Sequence, residues 1–152
     1  MKKRIAIAKA LITVPKVIIV DEPTAGLDPI ERVKFRNLLS KLSRDRIIIL
    51  STHIVEDISV SCNDLAIINK GELLFQGSPQ ELIAMASGNI YEFIGEEKDV
   101  HQLIEHHKVI YRKATLKGIS LRFIKKDDYL LNSQQVTPTL EDAYLYLLHN
   151  ID

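Results

Sequence analysis

Cysteine is almost missing from the 152 residues: Cys62 stands alone, so the chain cannot close an internal disulfide. A lone thiol suits the cytosol, and nothing near it in sequence argues for a reactive thiolate. An excess of charge is lacking too. Lysine plus arginine number 20 and aspartate plus glutamate number 20, which leaves no net field to favour nucleic acid. No apolar run approaches the roughly eighteen residues of a membrane span, and no signal-peptide pattern opens the chain. Any transport across a membrane would therefore need a separate membrane subunit. Internal repeats and low-complexity segments are also absent. The remaining balance, 46% apolar and 26% charged, is that expected of a soluble globular protein with a real core.

The most informative stretch runs Val17-Ile18-Ile19-Val20-Asp21-Glu22-Pro23-Thr24-Ala25-Gly26-Leu27-Asp28-Pro29. Its apolar, β-branched opening predicts a short strand buried on both faces. Asp21 and Glu22 follow at once, and they bring two negative charges to the rim of a sheet. Ligands of open α/β sheets bind at that carboxyl end. Mg²⁺ on a nucleotide phosphate fits two such carboxylates, because the ion prefers few carboxylates, several waters and phosphate oxygens. Alone, an Asp-Glu pair after an apolar strand more often caps a helix or sits in solvent.

The elements around it alternate. Helical spacing over Lys2 to Thr13 stops at Pro15. After the strand, a helix is predicted from Pro29 to Leu42, with Asp28 as N-cap and Pro29 at its first position. A strand over Ile47 to Leu50 and a short helix near Ile54 to Val60 come next. Asp64 to Ile68 and Glu72 to Gln76 predict a hairpin around Asn69-Lys70-Gly71. Ser78-Pro79-Gln80-Glu81 is a capping box that opens a helix to about Ala86. This alternation argues for a parallel-sheet α/β fold. From Ser87-Gly88-Asn89 onward the pattern becomes that of a small α+β appendage. It has a strand over Ile90 to Ile94, a helix over Lys98 to His107, a hairpin turning at Lys117-Gly118, and a last helix carrying Leu140, Ala143, Tyr144, Leu147 and Leu148. His101, His106 and His107 read as a solvated helix face, and Lys2-Lys3-Arg4 is too short to argue for nucleic acid.

Val17 to Pro29 resembles the Walker B motif and D-loop of the ATP-binding-cassette (ABC) ATPases. Ile47-Ile48-Ile49-Leu50-Ser51-Thr52-His53 looks like that family's H-loop strand and switch histidine. Lys2 to Leu11 looks like the helix after its signature loop. His53 follows Asp21 by 32 positions, the length of one strand–helix–strand unit. The resemblance implies a partial P-loop NTPase of ABC type over residues 1–87, a parallel sheet with flanking helices. Residues 88–152 become the accessory region of exporter-type cassettes, and Thr137-Pro138-Thr139-Leu140-Glu141-Asp142 is similar to their closing segment. It also implies site roles. Asp21 would hold Mg²⁺ through water, Glu22 would orient the attacking water, and His53 would contact the γ-phosphate of ATP. Asp28 would face a second cassette across a head-to-tail dimer. Gly26 joins the nucleotide-facing set, although a turn needing positive φ would also ask for glycine there. The implied partners are a membrane permease subunit and the second cassette, with the chain peripheral on the cytoplasmic face of the membrane.

The chain departs from the family where the phosphates are gripped. No Gly-x-x-x-x-Gly-Lys-Ser/Thr occurs, so the loop of backbone N–H groups that cradles phosphate is absent. The Q-loop is absent as well, and Met1-Lys2-Lys3-Arg4 fits only the tail of a signature motif. The chain is therefore expected to be the second half of a cassette, inactive alone. In the family's sheet the P-loop strand borders the H-loop strand. Without it, Ile47 to Leu50 should be left with an open, aggregation-prone edge unless Leu65 to Ile68 slides in. Two other functions fit the residues: a related cassette working in translation or DNA repair, and a non-catalytic module that pairs with a cassette or permease.

Overall fold

The computed structural model describes Lys9 and residues 12–150, apart from the side chains of Val60 and Ser61. The helix expected over residues 2–13 and the signature-tail reading of Met1 to Arg4 lie largely outside the described residues. The chain divides into two compact units, Met1–Asn63 and Asp64–Asp152.

In the first unit, β1 (Val17–Asp21) and β2 (Ile47–Ser51) form a parallel ladder in unbroken register from Val17 opposite Ile47 to Asp21 opposite Ser51. The helix α1 (Pro29–Leu42) joins them, and α2 (Val55–Ser61) follows β2 and packs on α1. The start of α1 is dictated locally. Asp28 is its N-cap, Pro29 stands in its first turn, and Asp28 Oδ1 accepts the Glu31 N–H at 2.8 Å.

The expectation that β1 is buried on both faces is corrected. Ile18 is only 5% exposed, but Ile19 beside it is 74% exposed, and Ile47 across the ladder is 63% exposed. Alternate side chains of a pleated strand point to opposite faces, and only one face of this ladder is covered. Among the described residues β2 pairs with β1 alone, while β3 (Leu65–Asn69) pairs with β4 (Glu72–Gly77). The ladder's edge along β2 therefore carries no further strand among the described residues.

The second unit begins with the β3–β4 hairpin, whose turn places Lys70 and Gly71 at positive φ. Then come α3 (Pro79–Ala86), β5 (Ile90–Gly95), α4 (Glu97–His106), β6 (Lys108–Thr115), β7 (Gly118–Ile124), β8 (Gln134–Gln135) and α5 (Leu140–His149). Strands β6, β7, β5 and β8 form one antiparallel sheet in that order. Its core is Phe93, Val100, Leu103, Leu121 and Phe123. The boundary between the two compact units falls between Asn63 and Asp64, ahead of the change of pattern at residue 88. Packing explains the shift. Leu82 and Ala86 of α3 and Leu140, Ala143 and Leu147 of α5 are buried where these helices meet, which draws the residues before 88 into the C-terminal unit.

One histidine needs a second correction. His107 does not lie on a solvated face: it is the C-cap of α4, with extended backbone, and is buried. Its ring stacks on Phe123 at 4.5 Å, Nε2 donates to Tyr129 O at 2.7 Å, and Nδ1 accepts the Lys126 N–H at 3.3 Å. His106 remains half-exposed against Asp127, with Nδ1 and Oδ2 2.8 Å apart, and that contact holds the Asp127 carboxyl below the usual range.

Gly118 opens β7 at φ +120°, and a Cβ there would stand 2.5 Å from Gly95 O. Backbone cannot yield as a flexible side chain would. Gly118→Ala is expected to cost about 1–3 kcal/mol, read as a lowered urea midpoint with an unchanged m-value.

Candidate functional site

The in-register parallel ladder sets the exits of β1 and β2 side by side. Asp21 and Ser51 are register partners, and Ser51 Oγ donates to Asp21 Oδ1. One more rung follows, with Glu22 N–H donating to Ser51 O at 2.9 Å. At Glu22 the backbone turns to φ +44°, the left-handed region that a non-glycine residue rarely occupies. That turn ends the strand.

The half-buried Glu22 carboxylate meets His53 twice. Oε1 accepts the His53 N–H at 3.1 Å and lies 2.7 Å from His53 Nδ1. A carboxylate has no proton to give, so Nδ1 carries the hydrogen in this contact. Nε2 is the other polar atom of a ring that is 77% exposed. Asp21 and Glu22, and His53 more than thirty positions later, thus form one constellation of an acceptor pair and an imidazole at the carboxyl end of a parallel ladder.

Asp28 and Gly26 have local work. Gly26 sits at φ +78° with nothing near its missing Cβ, so the turn needs its backbone freedom and no close neighbour demands it. Asp28 caps α1, and replacing it with Ala should cost about 1 kcal/mol through the lost cap. Cys62 is half-buried. Burial, and then the nearby Asp57 charge, push its thiol upward, which keeps it protonated and unreactive.

The structure adds residues that sequence reasoning passed over. Ser51 could have been found by aligning the two strands in parallel register, since it falls opposite Asp21. Thr24 and Asp57 carried no signal: both are buried polar residues, joined by a hydrogen bond from Thr24 Oγ1 to Asp57 Oδ2 across 33 positions.

The donors suit Mg²⁺ only in one manner. Among the described residues no group of three or more His, Cys, Asp or Glu side chains converges as a metal cage. Asp21, exposed and with one oxygen tied to Ser51, is a hard oxygen donor of the kind that holds Mg²⁺ together with waters and phosphate oxygens. No helix of the described residues is long and apolar enough to cross a membrane.

No protein-family profile matches the chain. Individual proteins do. An ABC transporter ATP-binding protein of Bacillus subtilis, YxlF, itself uncharacterised, is 29% identical over 98% of this chain. The Nod factor export ATP-binding protein I of Cupriavidus metallidurans is 40% identical over 64% of it. The solved structure of cbiO1 from Clostridium perfringens, part of the ABC transporter complex cbiONQ, superposes over 68% of this chain with 34% identity and a TM-score of 0.50. The chain spans 55% of the Bacillus protein, 33% of the Cupriavidus protein and 38% of the cbiO1 chain.

Proposed function

We propose, for a chain homologous to the ATP-binding subunits of ABC transporters, that it supplies the metal- and water-handling half of an ATP-hydrolysing cassette. The observation that carries this reading is the contact of Glu22 Oε1 with His53 Nδ1 at 2.7 Å, beside Asp21 at the end of a parallel ladder. ATP with Mg²⁺ would bring the reacting phosphoryl group and the charge that stabilises its transfer.

The chain's own part is then threefold. Asp21, oriented by Ser51, offers an oxygen to the ion. Glu22 presents a carboxylate that can orient a water and accept its proton. His53, held at Nδ1 by Glu22, has Nε2 for a phosphate oxygen, and donation from Nε2 requires the ring to be protonated while Nδ1 stays bonded. Phosphoryl transfer rests on such positioning and charge stabilisation. Asp28 and Gly26 belong, in this reading, to the surface that meets a second cassette head to tail. Residues 1–87 correspond to the second half of the nucleotide-binding domain and 88–152 to an accessory region.

The grip on the triphosphate comes from a Gly-rich loop outside these 152 residues, so the chain alone does not turn over ATP. The export named in the Cupriavidus relative, together with the Thr137 to Asp142 segment, supports an exporter-type transporter. Its permease would hold the chain on the cytoplasmic face of the membrane.

The test is ATP hydrolysis by two proteins. One is the chain alone. The other is a chimera in which the part of the Bacillus relative that precedes its alignment with this chain is fused in front. The first is expected to show no Mg²⁺-dependent turnover and the second to show it. An inactive but folded and nucleotide-binding chimera sinks the reading. Turnover by the chain alone, lost on Glu22→Gln, sinks the claim that the phosphate grip lies elsewhere.

A further inference from the structure

Glu22 and His53 sit on two loops that leave neighbouring strands, and the last rung of the ladder, Glu22 N–H to Ser51 O at 2.9 Å, brings the loops side by side but does not by itself hold the two side chains together. What lies just beyond each does. Thr24, two residues after Glu22, is 1% exposed, and Asp57, four residues after His53, is 3% exposed. Thr24 Oγ1 donates to Asp57 Oδ2. On the other oxygen, Arg36 of α1 brings Nη1 to 3.7 Å from Asp57 Oδ1, an ion-pair distance and not a hydrogen bond. The same Nη1 donates to Glu56 O at 3.2 Å and lies 3.4 Å from Glu56 Oε1.

We propose that Thr24, Asp57 and Arg36 are positioning residues: the buried Thr24–Asp57 bond, braced by Arg36, holds the loop after β1 against the start of α2 so that Glu22 and His53 stay in contact. The physical reason is asymmetry. A buried hydroxyl or carboxylate that loses its partner suffers the full desolvation penalty, whereas an exposed one turns to water. The exposed His53 ring can leave Glu22 at small cost. The buried pair behind it cannot separate cheaply, and that pair therefore fixes the loops to each other beyond the end of the ladder. Positioning to within a fraction of an ångström is what a water-orienting carboxylate requires. The proposal deepens the ATPase reading, which gives Glu22 and His53 their work, but the tie between the loops exists without nucleotide.

The test is amide hydrogen exchange and the imidazole ¹⁵N signal of His53 in the full 152-residue chain, without ATP. The His53 N–H, bonded to Glu22 Oε1, reports the contact. The Val20 N–H, inside β1, reports general opening. Thr24→Val is expected to speed exchange at His53 roughly tenfold and to shift its Nδ1 signal, while Val20 stays as in the parent. Thr24→Ser, which keeps the hydroxyl, should restore both readouts. Should Thr24→Val leave Asp57 too poorly satisfied to fold, a double variant serves instead. The pair Thr24→Val with Asp57→Leu removes both partners, should keep the parental urea midpoint, and should loosen His53 as the single change does. Unchanged exchange at His53, faster exchange matched at Val20, or no rescue by serine overturns the proposal. An inactive chimera alongside the expected His53 response overturns the ATPase reading and leaves this one standing.

Discussion

In the chimera that carries a phosphate-gripping half, Glu22→Gln should lower kcat by about 10²–10⁴-fold, the range that a positioned general base contributes. Nucleotide binding should hardly change. The substitution is chosen for its geometry. Glutamine keeps a carbonyl oxygen where Glu22 Oε1 accepts the His53 N–H, so the loop contact at 3.1 Å can persist. It removes the negative charge and the ability to take a proton from water. A loss in kcat with nucleotide affinity intact therefore assigns Glu22 to the transition state. Equal losses in affinity and turnover would assign it to holding the loops. Asp21→Asn should behave differently, because Asp21 is placed for the ion: its defect should shrink as Mg²⁺ is raised, and the Glu22→Gln defect should not.

Asp142→Ala should destabilise the chain by about 3–5 kcal/mol, the loss expected when one partner of a buried ion pair is removed. The Arg122–Asp142 pair is bidentate: Arg122 Nε donates to Oδ1 at 3.0 Å and Nη2 to Oδ2 at 2.6 Å. Asp142 Oδ2 also accepts from Thr139 N at 2.6 Å and from Thr139 Oγ1 at 2.8 Å, which closes a capping box at the start of α5. Arg122 Nη2 reaches Thr137 O at 3.0 Å as well. One carboxylate thus caps the last helix and ties it to strand β7. Its removal strands a guanidinium whose side chain is 12% exposed. Urea unfolding measures the loss. A change under about 1 kcal/mol would mean that the pair behaves as a surface bridge. Replacing both partners with apolar residues of similar volume should recover most of the stability, since the orphaned charge, more than the lost attraction, carries the penalty.

Where a local rule settles an element, the residues announced it. Asp28-Pro29 marks the start of α1 because a carboxylate caps free N–H groups and proline lacks the one that would be unpaired. Ser78 and Glu81 mark α3 through the reciprocal bonds of a capping box. Lys117-Gly118 marks the β6–β7 turn. His107 was misread because its environment depends on where α4 stops. The helix ends at His106, the next residue is extended, and the side chain turns inward onto Phe123. Adjacent histidines in a sequence carry no sign of which one leaves the helix. The burial of β1 was misread for a similar reason: an apolar run shows that a strand can be covered on both faces, not that it is.

The order of residues alone determined the chemistry on offer, namely two carboxylates after an apolar strand, a histidine 32 positions later, and no phosphate-cradling loop between or beside them. It did so because strand ends, caps and turns obey short-range rules. Only the tertiary structure decided that Glu22 and His53 touch, that Ser51 orients Asp21, and that Thr24 is bonded to Asp57. Those contacts bridge some thirty residues, and their existence depends on parallel register and on the penalty for burying a polar atom without a partner, neither of which any local stretch of sequence contains.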